Sequence, residues 1–205
     1  MLIKFLLLLA WLGHILCGIT DCLLAYTPKG RINLKEINDP EKMRKMFADM
    51  PLKYPMLSML LGVLALSAAV FGYLGLSNWM AKYSNVYSII MYISSLLYFM
   101  PIVTHHVFCG TVEWFYIRLG RTDEARNAVL EFQKKTIITM YIGYIALIVF
   151  AITLFIAIVT GSTPIPRWAC IFNTLPLFIL LLPTKLPAKG NIAGAVMFLG
   201  LLFLI

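Results

Sequence analysis

Long apolar runs separated by shorter polar stretches make up most of this chain. Six of these runs are long enough, or nearly long enough, to form bilayer-crossing helices, each of which needs about 20 apolar residues. They cover residues 2–26, 56–77, 86–117, 136–160, 168–184 and 189–205. Because lipid offers no hydrogen-bond partners to the backbone, only helices suit such runs. The pattern predicts an all-α, polytopic integral membrane protein with six transmembrane helices, folded as a single membrane domain over residues 1–205.

Composition and charge support this prediction and add an orientation. Of the 205 residues, 61% are hydrophobic and 13% are charged, whereas a soluble domain has roughly a quarter charged residues. A water-soluble globular protein is therefore excluded. Fourteen of the 17 Lys and Arg residues lie in the stretches 27–55, 118–135 and 185–189, all on one side of the predicted bundle. The positive-inside rule then predicts cytoplasmic basic loops and external termini, in a bacterial cytoplasmic membrane. It also explains the net charge of +8 without a nucleic-acid partner.

Two polar stretches contain signals for helices at the membrane surface. Asp39 can cap a short helix whose first residue is Pro40. Apolar side chains then recur at helical spacing at Met43, Met46, Phe47 and Met50. This predicts a cytoplasmic amphipathic helix, which serves either as an anchor beneath the bundle or as a lid over a cavity. Thr122 is the predicted cap of a second helix that continues into the fourth span.

A polar motif, His-x-x-Cys-Gly-x-x-acid, occurs twice within the predicted spans. The first copy consists of His14, Cys17, Gly18 and Asp21, and the second of His106, Cys109, Gly110 and Glu113. Each copy is followed by a polar stretch and another span. The pattern indicates a possible internal repeat of helix–loop–helix units, covering about residues 1–77 and 86–160.

These two copies, with the adjacent His105, hold all three histidines of the chain and both carboxylates that fall within predicted spans. Positions i, i+3, i+4 and i+7 share one helix face, so each copy forms a polar stripe. The two helices run in the same direction, and we expect the stripes to face each other at matching heights. Ionisable groups at such depth are costly and usually face a cavity or one another.

The polar stripes favour an enzyme acting on a small hydrophobic or lipid-derived substrate. In this hypothesis His14 and His106 form the catalytic acid–base pair, and Asp21 and Glu113 orient or charge-balance them. Further candidate ligand-binding residues are His105, Cys17, Cys109 and Asn173. Membrane lipids and a hydrophobic small molecule are then the expected partners, while the oligomeric state is not indicated.

Other interpretations of the same residues remain open. The stripes could line the path of a proton-coupled transporter or form the pocket of a hydrophobic-ligand-binding protein. His14, His106, Cys17 and Cys109 could instead bind a metal ion or haem, so the sequence leaves the cofactor unknown. In a purely structural interpretation, the histidines form interhelical hydrogen bonds and the acids reach the interface.

The C-terminal part of the chain resembles a known family. The resemblance rests on Pro164, Pro166, Arg167, Trp168 and Asn173, with Gly190-Asn191 further on. Together they are similar to the C-terminal segment of a family of uncharacterised bacterial membrane proteins. The resemblance implies a six-helix architecture and assigns no site. Emopamil-binding-type sterol isomerases and lysoplasmalogenases also use buried histidines or acids, but their motifs are not matched here.

Overall fold

A computed structural model describes residues 1–205 as a predominantly helical chain. Its eight α-helices are α1 (Leu2–Ala25), α2 (Pro40–Phe47), α3 (Lys53–Met80), α4 (Asn85–Arg118), α5 (Asp123–Thr136), α6 (Ile138–Val159), α7 (Thr174–Leu181) and α8 (Lys189–Leu204). A 3₁₀ helix, Arg167–Phe172, precedes α7. Two short strands, β1 (Tyr26–Thr27) and β2 (Gly30–Arg31), pair as an antiparallel hairpin after α1. The predicted all-α class is confirmed.

Four helical segments are long and apolar enough to cross a membrane. They are α1, α3, α4 and the nearly continuous α5–α6 segment, Asp123–Val159. Their positions agree closely with the first four predicted spans. Large apolar side chains on the outer faces, including Leu60, Leu97 and Ile145, are exposed. An extensive apolar exterior of this kind is compatible with a membrane protein.

The last two predicted spans differ from the expected long helices. Residues 168–184 are divided, because the 3₁₀ helix ends at Phe172 and Asn173 caps α7 through the backbone N–H of Leu175. With eight residues, α7 is about 12 Å long, well below the thickness of a bilayer core. Pro166 and Pro183 limit helix formation on either side of this segment. The predicted sixth run forms α8, which has 16 residues.

Small residues bring α1 and α3 into backbone contact. A Cβ atom added to Gly13 would lie 2.6 Å from the carbonyl oxygen of Ala65, and one added to Gly72 would overlap Ala10. Close approach through small side chains is the usual way in which helices pack inside membranes. Further out, α8 packs against α1, while α4 lies between α3 and α6.

The centre of the bundle is filled by an aromatic layer around Tyr73. Its ring centroid lies 5.0 Å from that of Phe99, 4.8 Å from Phe150 and 4.9 Å from Phe198. All four side chains are buried. The layer therefore closes the middle of the bundle, between the end that holds the chain termini and the end that holds α2.

Helix α2 and its flanking residues form a surface layer (residues 37–50) across one end of the bundle. Asp39 caps α2 by accepting hydrogen bonds from the backbone N–H groups of Glu41 and Lys42, as predicted. Met43, Phe47 and Met50 of the layer are buried in one cluster with apolar residues of α4 and α5. The apolar face of the amphipathic helix α2 is thus covered by α4 and α5.

Three arginines attach this surface layer to the bundle. Arg121 donates from Nε to the carbonyl oxygen of Phe47 at 2.8 Å. Arg126 donates to the carbonyl oxygens of Ile37 and Asn38. Arg44 forms an ion pair with Asp123 at 2.9 Å. The layer is therefore held by its buried apolar face and by hydrogen bonds along its backbone.

We expect Phe47→Ala to release α2 from the bundle. Phe47 is buried and packs edge-on against Tyr116, with ring centroids 5.5 Å apart. Truncation of a buried Phe costs about 3–5 kcal/mol. Amide hydrogen exchange in residues 40–47 should therefore accelerate by about 100-fold or more, while exchange in α3 stays unchanged. Lys45→Ala, at an exposed position of the same helix, is the matched control. Unchanged exchange in Phe47→Ala would show that this packing does not hold α2.

Candidate functional site

A cavity of about 670 Å³ opens beneath the surface layer. Its walls come from the C-terminal half of α1, from α4, from the C-terminal half of α5 and from the N-terminal parts of α6 and α8. Met43 and Phe47 of the surface layer and Arg31 of β2 contribute to its outer rim. Most of its lining side chains are apolar.

The cavity ends within the bundle. Leu66, Tyr98 and Ile102 line its inner part, and the Tyr98 ring lies 5.7 Å from that of Tyr73 in the aromatic layer. Its polar side chains include Asp21, His105, His106, Cys109 and Glu113. An apolar pocket with a few convergent polar groups is typical of a small-molecule site.

Asp21 of α1 meets His106 of α4 on the wall of this cavity. Oδ1 of Asp21 lies 3.4 Å from Nδ1 of His106. On its other side, the His106 ring donates from Nε2 to the carbonyl oxygen of Ser58 at 3.0 Å. A carbonyl oxygen can only accept a hydrogen bond, so Nε2 carries a hydrogen and Nδ1 is the nitrogen that faces the carboxylate.

The side-chain contacts of His106 with Ser58 and Asp21 follow the serine–histidine–aspartate order of serine hydrolases. The Ser58 hydroxyl oxygen lies 3.3 Å from Nε2 of His106. However, Ser58 is fully buried, does not line the cavity, and donates its hydroxyl to the carbonyl oxygen of Thr20 at 2.9 Å. A substrate in the cavity does not reach this hydroxyl. The geometry therefore does not support a nucleophilic serine of the hydrolase type.

Asn191 of α8 connects Asp21 to His14. Its Nδ2 donates to Oδ2 of Asp21 at 2.8 Å, and its Oδ1 accepts from Nδ1 of His14 at 2.9 Å. Since a carboxylate only accepts, the amide nitrogen must face Asp21. The other His14 nitrogen, Nε2, accepts from the Tyr73 hydroxyl at 3.2 Å. A continuous hydrogen-bonded path thus runs from Tyr73 to Asp21.

The structure separates the two histidines that the sequence predicts as a pair. His14 is 1% exposed, has partners at both ring nitrogens, and does not line the cavity. His106 lies beside Asp21, which follows His14 by seven residues on α1. The two polar stripes are therefore adjacent, but they are displaced along the helix axes and do not face each other at the predicted matching heights. Each imidazole occupies the space left by a glycine, His14 at Gly194 of α8 and His106 at Gly62 of α3.

Several of the other candidate residues share the cavity with Asp21 and His106. The Sγ of Cys109 lies 3.5 Å from Nε2 of His105, whose Nδ1 lies 3.3 Å from the Thr139 hydroxyl. Glu113 lines the cavity, and its buried Oε2 has no hydrogen-bond partner. Cys17 lies next to Asp21 and His106.

The structure also separates the predicted metal ligands. Of these four residues, only Cys17 and His106 lie close to each other. His14 instead forms hydrogen bonds with Asn191 and Tyr73. Cys109 contacts His105. Asn173 lies outside the cavity, where its Nδ2 donates to the carbonyl oxygen of Ala151.

Sequence reasoning missed two participants in the site, Ser58 and Tyr73. Neither belongs to the repeated motif. One signal was available for Ser58, which precedes Gly62 by four residues and so lies on the small-residue face of α3. In the sequence Asn191 stands out only as part of the C-terminal resemblance, and the structure shows that its side chain joins α8 to α1 by hydrogen bonds.

The fold and the site together define an all-α protein with four membrane-length helices and a cluster of polar side chains on the wall of an apolar cavity. The chain belongs to a family of unknown function, DUF6796, whose model matches residues 1–204. No curated protein and no solved structure matches the chain.

Proposed function

We propose that this protein is an intramembrane enzyme that acts on a small hydrophobic or lipid-derived substrate by histidine–carboxylate chemistry. The observation that supports it best is the apolar cavity with Asp21, His106 and Glu113 on its wall. Its volume of about 670 Å³ lies within the usual range for small-molecule sites. Such a cavity accepts an apolar body and brings one polar group of it to the acids and the imidazole.

Glu113 is the residue to which we assign proton transfer. Its Oε2 is buried yet has no hydrogen-bond partner, and the side chain faces the cavity. A carboxyl group without a fixed partner is free to exchange a proton with a substrate. We assign to Asp21 and His106 the role of holding and polarising the reacting group. Hydrogen bonds from Asn191 and to Ser58 fix the orientation of these two side chains. His14 is a positioning residue that acts on Asp21 through Asn191.

The proposal includes a six-span topology in a bacterial cytoplasmic membrane, with external termini and cytoplasmic basic loops. The 3₁₀ helix with α7 forms the short fifth crossing, and α8 the sixth. Two contacts support it: Arg31 in the hairpin donates to the carbonyl oxygen of Lys185 after α7, and Arg167 packs beside Gly161 after α6. Residues 167 and 185 therefore lie at opposite ends of the bundle. The substrate then enters from the cytoplasmic side.

A transporter or a hydrophobic-ligand-binding protein is the second candidate. A transporter needs a route that reaches both faces in turn. At the opposite end of the bundle lies a separate cavity of about 260 Å³, which shares no lining residue with the first. The aromatic layer around Tyr73 lies between them, and this closure favours an enzyme or a binding protein.

The proposal is tested by turnover in lipid nanodiscs. Purified protein is incubated with a total lipid extract from the organism that naturally produces it. The components of the extract are compared by mass spectrometry before and after incubation. We expect at least one hydrophobic component to be converted, and Glu113→Gln to slow that conversion by about 100-fold or more. Glu124→Gln, at an exposed position of α5, should leave the rate unchanged.

Two results would contradict the proposal. Binding of a hydrophobic component without its conversion would favour the binding or transport function. Conversion at the same rate in Glu113→Gln and the wild-type protein would remove the role assigned to Glu113.

A further inference from the structure

Three potential metal-ligating atoms converge on the cavity wall. The Sγ of Cys17, a carboxylate oxygen of Asp21 and a ring nitrogen of His106 all lie within 4.8 Å of one another. Cys17 and Asp21 are four residues apart on α1 and so share one helix face, whereas His106 comes from α4. Thiolate, carboxylate and imidazole are the three donor types that Zn²⁺ takes in proteins.

The distance between Asp21 and His106 suits two ligands of one ion. Their nearest atoms are 3.4 Å apart, longer than the roughly 2.7–2.9 Å of a charge-assisted hydrogen bond. Oxygen and nitrogen ligands each lie about 2.0–2.1 Å from zinc, so at a tetrahedral angle they are about 3.3 Å from each other. The observed separation of 3.4 Å therefore matches two ligands of one zinc ion better than a hydrogen-bonded pair.

The hydrogen bonds around the pair also suit a cation between them. With its hydrogen at Nε2, which bonds the carbonyl oxygen of Ser58, a neutral His106 presents a lone pair at Nδ1 to the carboxylate of Asp21. Two acceptors then face each other, an arrangement that a bound cation would satisfy. A metal-bound histidine typically donates its other N–H to a backbone carbonyl, and a metal-bound carboxylate is itself hydrogen-bonded. Ser58 and Asn191 supply these two contacts.

We propose that Cys17, Asp21 and His106 bind one Zn²⁺ ion, with an open coordination position toward the cavity. All three residues line that cavity, and three protein ligands with one open position are the arrangement of catalytic zinc sites. This ligand set differs from the sequence-based one, because His14 and Cys109 are replaced by Asp21. The inference deepens the proposed function, since a zinc ion there would polarise the polar group of a substrate beside Glu113.

The test is metal binding by the purified, tag-free protein in detergent. After removal of metals with a chelator, the protein is titrated with Co²⁺, and its absorption is recorded. Bound Zn²⁺ is measured separately by elemental analysis. We expect one ion per chain and a thiolate-to-cobalt charge-transfer band. Cys17→Ser should abolish this band, and His106→Gln should weaken binding by more than the about 10- to 100-fold typical of losing an outer-shell partner.

Matched variants separate this site from its neighbours. Cys22→Ser on the same helix and Cys170→Ser in the 3₁₀ helix, both outside the cavity lining, should leave both affinity and spectrum unchanged. If the ligand variants do not fold, X-ray absorption of the wild-type cobalt protein still decides, because it must show one sulfur with nitrogen and oxygen ligands. Absence of binding, or a spectrum without a sulfur ligand, would overturn the metal site.

The outcome is independent of the turnover test. Glu113-dependent conversion by a protein that binds no metal would remove the zinc site and keep the enzyme. Stoichiometric zinc without any conversion would keep the site and remove the enzyme.

Discussion

Replacing Gly62 by alanine should displace the His106 ring and disrupt the site. A Cβ atom at this position would overlap Nε2 and Cδ2 of the imidazole, which is held between Ser58 and Asp21. The ring can avoid the overlap only by leaving one of these partners. We expect a loss of about 1–3 kcal/mol in stability, typical of overpacking, together with loss of both cobalt binding and turnover. Thermal unfolding in detergent and the cobalt titration measure these effects.

Gly18→Ala is the matched control for this change. A Cβ atom at Gly18 would lie 3.7 Å from its nearest neighbour, the Cβ of Asn191, which is an ordinary contact. Since alanine is the better helix former by about 1 kcal/mol, this variant should be neutral or more stable. Equal behaviour of the two variants would show that His106 is not confined by Gly62.

Asn191→Leu should produce the second large effect. Leucine has the same number and branching of side-chain heavy atoms but leaves the Nδ1–H of buried His14 and the Oδ2 of Asp21 without their partners. An unpartnered buried polar group costs about 1–3 kcal/mol, although polar bonds between membrane helices are often worth less. We therefore expect a loss of about 2 kcal/mol in unfolding free energy, measured by denaturation in mixed micelles.

A double-mutant cycle identifies the source of this loss. In a His14→Leu background, Asn191→Leu should cost less, because one of the two orphaned groups is already absent. Asn127→Leu is the control, because Asn127 is exposed and its side chain is paired only with Arg126. Strictly additive effects of His14→Leu and Asn191→Leu would contradict the hydrogen-bonded path from Tyr73 to Asp21.

Much of the helical fold could be predicted from the sequence, because long apolar runs and capping residues are local signals. The first four spans and the caps at Asp39 and Thr122 agree with the structure. The division of residues 168–184 was not predicted, since hydropathy alone does not distinguish one long helix from a 3₁₀ turn followed by a short one. There the cap at Asn173 was the informative signal.

The candidate site was predictable in composition but not in geometry. The repeated motif identified His106 and Asp21 as buried polar residues, because spacing along one helix fixes a common face. It did not identify their contact, since the relative height of α1 and α4 depends on other helices. Gly62 and Ser58 of α3 receive His106, and Gly194 of α8 receives His14. Such complementarity between helices leaves no periodic pattern in the sequence.

The arginine contacts to the surface layer determine where this protein can tolerate substitution. Arg121 and Arg126 donate to the carbonyl oxygens of Phe47, Ile37 and Asn38, and every amino acid has a backbone carbonyl. Side chains at the accepting positions are therefore free to change as far as these bonds are concerned. Arg121 and Arg126 themselves are not free to change, because even lysine lacks the planar set of donors of a guanidinium group. In these hydrogen bonds the side-chain requirement lies on Arg121 and Arg126, and the layer contributes only the path of its backbone, whereas its buried apolar face still depends on side chains such as Phe47.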